Sequence, residues 1–116
     1  MAMRLLPSLR EKKRYLAFEM LSEGAISRRD FIDELNRSAS SLLGDVGSSE
    51  CGIKMLSFGR EGGIVRCAHT RTTHTRAVLA TINRVRGMRV AVHVIGISGT
   101  VKGAERFFGR DSAFGG

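Results

Sequence analysis

The residues best equipped for chemistry in this chain are basic. Arg60, Arg66, Arg71, Arg76, Arg84, Arg86 and Arg89 fall within one stretch, opposed only by Glu61. Guanidinium forks match phosphate oxygens bidentately and stack on bases. Binding a phosphate backbone takes many such charges spread over one surface, each contact adding roughly 0.7 to 0.9 to the slope of log affinity against log salt. A solvated helix face with loop charges would produce the same residues, so the group carries the inference and no single arginine does. A second anion-directed pattern is Ser98-Gly99-Thr100-Val101-Lys102-Gly103. Small residues let backbone N–H groups approach an anion at a helix start, and Lys102 adds charge in the first turn. The segment lacks the glycines and the Lys-Ser/Thr pair of a Walker loop. On spacing alone, an ordinary capped turn explains it equally well.

Catalysis by the protein itself finds little support. The histidines are His69, His74 and His93, and no His-Glu-x-x-His, Cys-x-x-Cys or Gly-x-Ser-x-Gly spacing occurs. Cys67 and His69 stand two apart and would share one strand face, which permits a metal pair. A part-buried cysteine beside an edge histidine is the simpler account. The acids of the first half read as the solvated face of a helix. No metal or catalytic site is expected.

The chain has 116 residues, room for one domain, with 19 basic against 11 acidic residues and a net charge of +8. The excess is lopsided. Met1 to Phe58 holds 9 basic and 8 acidic residues, net +1, whereas Gly59 to Gly116 holds 10 and 3, net +7. A directed cationic surface for a polyanionic partner is the expectation. Cys51 and Cys67 make no disulfide framework. Arg4 and Pro7 interrupt any signal-like apolar stretch, and no run approaches the roughly 20 apolar residues of a membrane span. A cytoplasmic protein without membrane contact is expected.

Positioning these groups requires a scaffold, and its elements can be read. Residues 1–13 form a basic arm, 14–108 a single domain and 109–116 a Gly-rich flexible tail. Alternation from Tyr15 to Met20 predicts a strand. Ser27 with Asp30 three residues on starts a helix. Its buried stripe is Phe31, Ile32, Leu35, Ala39, Leu42 and Leu43, and Gly44 stops it before a loop over 45–50. Gly52 to Phe58 and Gly63 to His69 make a hairpin. Thr73 caps a second helix with Val78, Ile82 and Val85 inward, ended by Gly87. Arg89 to Ile97 is a strand with Val90, Val92 and Val94 on one face and Ala91, Ile95 and Ile97 on the other. Thr100 caps a short last helix through Phe107. The order predicts an α+β, ferredoxin-like (RRM-like) βαββαβ sandwich: a four-stranded antiparallel sheet, helices on one face, and a short C-terminal helix.

An RNA-recognition motif stacks bases on aromatics of its third strand. Here that strand, Gly63 to Ala68, has none, which disfavours stacking. The apolar face of Ala91, Ile95 and Ile97 offers itself to a protein partner instead. An alternative function is therefore a protein–protein adaptor whose charge is incidental.

Three blocks carry a family likeness: Lys13 to Glu19, Gly63 to Cys67, and Gly96-Ile97-Ser98-Gly99-Thr100-Val101-Lys102-Gly103-Ala104. Across about Leu6 to Phe108 the chain resembles the archaeal ribonuclease P protein component 2 family, which includes the related eukaryotic ribonuclease P and MRP subunit. The resemblance implies a non-catalytic subunit that binds and stabilises ribonuclease P RNA, the catalyst that removes the 5′ leader of precursor tRNA. It implies Mg²⁺ held by the RNA and no cofactor on the protein. It implies pairing with ribonuclease P protein component 3 as a two-plus-two heterotetramer, and only indirect contact with precursor tRNA. Arg10, Lys12, Lys13, Arg14, Arg66, Lys102 and Arg106 fall at positions basic in the family and become RNA-contact candidates. Arg71, Arg76, Arg84, Arg86, Arg89 and the Ser98-Gly99-Thr100 turn complete the candidate set. The segment Cys67 to His74 and the Gly-rich tail depart from the family pattern.

Overall fold

The computed structural model describes residues 12–109. In chain order it shows β1 (Lys13–Ser22), α1 (Arg28–Cys51), β2 (Lys54–Gly59), β3 (Gly62–Ala68), α2 (Thr72–Thr81), β4 (Arg84–Val85), β5 (Met88–Ser98) and α3 (Val101–Gly109). A 3₁₀ turn over His69–Arg71 leads into α2. The strands make one antiparallel sheet in the order β2-β3-β1-β5-β4.

β1 lies at the centre, and its alternation builds both faces. Leu16, Phe18 and Met20 point to one side, where they meet Phe31, Leu35 and Ala39 of α1 and Val78 and Leu79 of α2. Phe31 anchors that core, with its ring centroid 5.4 Å from Phe18 and 5.1 Å from Phe58. Ala17 points to the other side with Ile64, and both pack against Ala104 of α3. Thus α1 and α2 cover one face, and α3 lies on the opposite face. Helix α1 begins as expected, the Ser27 hydroxyl accepting from the Asp30 N–H at 3.1 Å.

Several expectations are corrected. The helix does not end at Gly44. That residue breaks the helical path (φ 78°, ψ 173°), but helix resumes through Cys51. Gly52 (φ 57°) is the true stop, its N–H donating to the Ser48 carbonyl at 3.3 Å. The 45–50 loop is therefore helical. Helix α2 ends at Thr81, so Ile82 and Val85 leave its stripe, although both remain buried. Arg84–Val85 is instead a fifth strand, turned onto Met88–Arg89 through Arg86 (φ 53°) and Gly87 (φ 82°). Positive φ at both central residues is the pairing a tight hairpin with right-handed twist demands. The sheet is five-stranded rather than four-stranded. In β5, Ala17 pairs with Gly96 and Phe18 with Val94, so Ile95 is bulged. The extra residue resets the alternation. Ile97 consequently packs in the α1/α2 core, while Ile95 packs with Ala17 and α3.

Candidate nucleic-acid interface

The candidate cations separate along the sheet axis. Strand pairing sets one row across four strands. Arg66 of β3 lies opposite Tyr15 of β1 on one side and Lys54 of β2 on the other, and Tyr15 lies opposite Ser98 of β5. Cross-strand partners share a face, and the Tyr15 ring packs with Ala17, Ile64 and Ala104. The row therefore lies on the α3 side. The Arg66 Nε is buried with no hydrogen-bond partner among the described residues.

At the end of that row the chain turns into α3. The Thr100 N–H donates to the Ser98 hydroxyl at 3.2 Å, and the Thr100 hydroxyl accepts from the Gly103 N–H at 3.0 Å. Ser98-Gly99-Thr100 is thus a side-chain-capped helix start. A Cβ at Gly103 would overlap the Ser98 hydroxyl, and one at Gly96 would overlap the Phe107 ring. These two glycines let α3 settle closely on β5. Lys102 and Arg106 are exposed, one turn apart on α3. Like charges at that spacing cost a helix a few tenths of a kcal/mol, and an anion beside them offsets the repulsion. The Arg14 guanidinium lies near Gly99 and donates from Nη1 to the Lys13 carbonyl at 3.0 Å. Arg14, Lys54, Arg66, Lys102 and Arg106 therefore gather at one end of the sheet. Lys13 pairs with Ala68 at the same end, and Lys12 precedes it. Arg10 lies outside the described residues, as does nearly all of the arm.

The remaining candidates lie elsewhere. Arg84, Arg86 and Arg89 sit on the β4–β5 hairpin, at the opposite end of β5, roughly 25 Å away at about 3.3 Å per strand residue. Arg84 and Arg86 share a shallow hollow with Asp30, Asp33, Glu34 and Arg37. Arg86 Nε stands 3.8 Å from Asp30 Oδ1. Arg71 Nη2 bonds Glu50 Oε1 at 2.8 Å, and Arg76 is exposed on α2.

Sequence reasoning missed Lys54. Counting straight back from the Gly59–Gly62 turn would place Met55 opposite Arg66. A register shift between Met55 and Ser57 brings Lys54 there instead, and nothing in the residue types announces that shift.

Cys67 and His69 do not converge. The Cys67 thiol is buried in the α1/α2 core, whereas His69 opens the 3₁₀ turn and is exposed. Burial pushes the thiols of Cys51 and Cys67 above their ordinary 9.0, against the hydrogen bond each shares with Thr75. Among the described residues no group of three or more His, Cys, Asp or Glu side chains is placed to hold a metal ion. The apolar sheet face expected to await a protein partner is instead covered in part by α3. No described helix is long and apolar enough to cross a membrane.

The chain is a small basic α+β domain with cations gathered at one sheet end. Residues 14–109 match the model of the Rpp14/Pop5 family, and the chain belongs to that family. It is 56% identical to ribonuclease P protein component 2 of Methanosarcina barkeri, over 96% of this chain and 82% of that protein. Its namesake in Methanosarcina mazei is 55% identical over 93% of each chain. The protein of the same name in Pyrococcus horikoshii is 31% identical, over 88% of this chain and 87% of its own. The family likeness drawn from the three sequence blocks is thereby borne out. A chain of the cryo-EM structure of yeast ribonuclease MRP matches with a TM-score of 0.62 at 15% identity, covering 78% of this chain and 76% of that one. That match is one of fold.

Proposed function

We propose that this chain is a protein subunit of ribonuclease P, binding and stabilising the catalytic RNA that removes the 5′ leader of precursor tRNA. Family membership supports the subunit role. The observation that carries the RNA contact is the gathering of Arg14, Lys54, Arg66, Lys102 and Arg106 at one end of the sheet. Arginine and lysine spread over such a surface neutralise phosphates and release their counterions. Cleavage belongs to the RNA and to Mg²⁺ on it; protein cations let the RNA fold at lower Mg²⁺ by screening the same phosphates. We further read the four long strands, in the order β2-β3-β1-β5, as a ferredoxin-like core with β4 appended. In this reading the partner protein is ribonuclease P protein component 3, two copies of each in a heterotetramer, in the cytoplasm.

Reconstitution tests the role. RNA plus component 3, with and without this chain, is assayed for precursor tRNA cleavage at limiting Mg²⁺. Faster cleavage with the chain is expected, and equal rates in both tubes defeat the proposal. A protein–protein adaptor with incidental charge would also help assembly, but its RNA affinity would be flat or absent across salt.

A further inference from the structure

Strand β2 reaches the cation row one residue out of step. From the turn inward, Gly59 pairs with Gly62, Phe58 with Gly63 and Ser57 with Ile64, but Met55 rather than Leu56 then pairs with Val65. Leu56 is therefore the extra residue of a β-bulge. Unbulged pairing would set Leu56 against Val65 and Met55 against Arg66. Lys54 would turn to the core side with Cys67, because a slip of one residue exchanges the two faces. Leucine and methionine replace each other in a core at small cost. Packing at Met55 and Leu56 thus separates the two registers weakly, and other contacts have to decide between them.

Two such contacts converge on the bulge. A Cβ at Gly63 would overlap the Ser57 carbonyl, so glycine is what lets β2 fold closely over β3 just past Leu56. The other contact comes from far along the chain: Arg28 Nη2 donates to the Met55 carbonyl at 3.3 Å. Met55 immediately precedes the bulged residue, on an edge strand. A bulge disrupts the ladder locally, and a bond from a charged donor is among the stronger replacements for a lost ladder bond. Arg28 opens α1, where the helix dipole disfavours a cation, so its own helix does not account for it. It reaches the strand from the α1 side, whereas the row of Lys54 and Arg66 lies on the α3 side.

We propose that Arg28 is a positioning residue for the cation row: by holding the Met55 carbonyl it fixes the Leu56 bulge, and with it Lys54 opposite Arg66. Arg28 acts on a polyanion through Lys54 and does not touch it. Its role toward RNA rests on the reading of Lys54 and Arg66 as phosphate contacts, whereas the register exists without RNA.

Two measurements on the full chain test this. Without RNA, cross-strand NMR contacts between Lys54 and Arg66 report the register. They are expected in the parent chain and should weaken in Arg28→Met as contacts between Met55 and Arg66 replace them. With ribonuclease P RNA, Arg28→Met should lower affinity roughly three- to fivefold and flatten the slope of log affinity against log salt by roughly 0.7 to 0.9, the share of one phosphate contact. In a Lys54→Ala chain the same change should cost nothing further, since the residue it positions is already gone. Two results overturn the proposal. One is an undisturbed Lys54–Arg66 register in Arg28→Met. The other is an equal loss of affinity in both backgrounds, which would make Arg28 a direct phosphate contact. Because the register is read without RNA, failure of the RNA reading and failure of this role for Arg28 are told apart.

Discussion

Arg66 is half-buried, and its Nε has no hydrogen-bond partner among the described residues. Lys54 carries the same sign, and the Tyr15 ring is packed against α3. A buried charged donor without an acceptor is costly, by about 1–3 kcal/mol or more. A phosphate oxygen arriving from outside removes that cost. Arg66→Glu should therefore weaken RNA binding at least about tenfold while the melting temperature holds or rises. Filter binding and thermal denaturation read the two effects, and a loss of stability with unchanged affinity would make Arg66 structural. The core thiols give a second prediction at this scale. Cys51 and Cys67 have folded pKa values raised above 9.0 by burial. The unfolded chain therefore loses these protons first as pH climbs. Their contribution is complete below 9.0 and is lost as pH rises from there through the higher folded values. Thermal melts should decline over that alkaline window, and replacing both cysteines with alanine should flatten the decline.

The elements differ in how far residue type announces them. The β1 alternation, the Ser27 start of α1 and the Thr100 cap of α3 follow from local residue type, and each is where it was expected. The β4–β5 hairpin was illegible because Arg86 adopts left-handed backbone, which its type disfavours. Arg86→Asn should relieve this by about 1 kcal/mol. A higher melting temperature is expected, since the exposed Asp30 ion pair that is lost contributes little. Gly62 is the reverse case: a Cβ there would overlap the Phe18 carbonyl, and φ is 149°. Gly62→Ala should cost about 1–3 kcal/mol by parting β3 from β1, seen as a lower denaturation midpoint. The candidate site was legible as a population of cations but not as a place. Its assembly depends on the Met55/Ser57 register shift and on which end of β5 each arginine occupies, and both are set by tertiary pairing.

For the molecule as a whole, the sum of charge matters less than its partition. The hairpin arginines Arg84 and Arg86 face Asp30, Asp33 and Glu34, and Arg71 is held by Glu50. Only part of the second-half excess is thus available to a polyanion. Five phosphate contacts from the Arg14–Lys54–Arg66–Lys102–Arg106 end imply an affinity loss of roughly 100- to 500-fold for a fourfold rise in salt. A far shallower response in a binding titration would mean that fewer of these cations reach the RNA. The seating of α3 carries a consequence for what such a protein can discriminate. With Ala104 resting on Ala17 and Ile64, and Phe107 over Gly96, part of the flat surface on which unpaired nucleobases would be spelled out is covered. Under the proposed RNA contact, the cations at the sheet end act as a contour gauge: they register where backbones converge in three dimensions and ignore the letters between them. An RNA rewritten by compensatory base changes that preserve its shape should be held as firmly as the original.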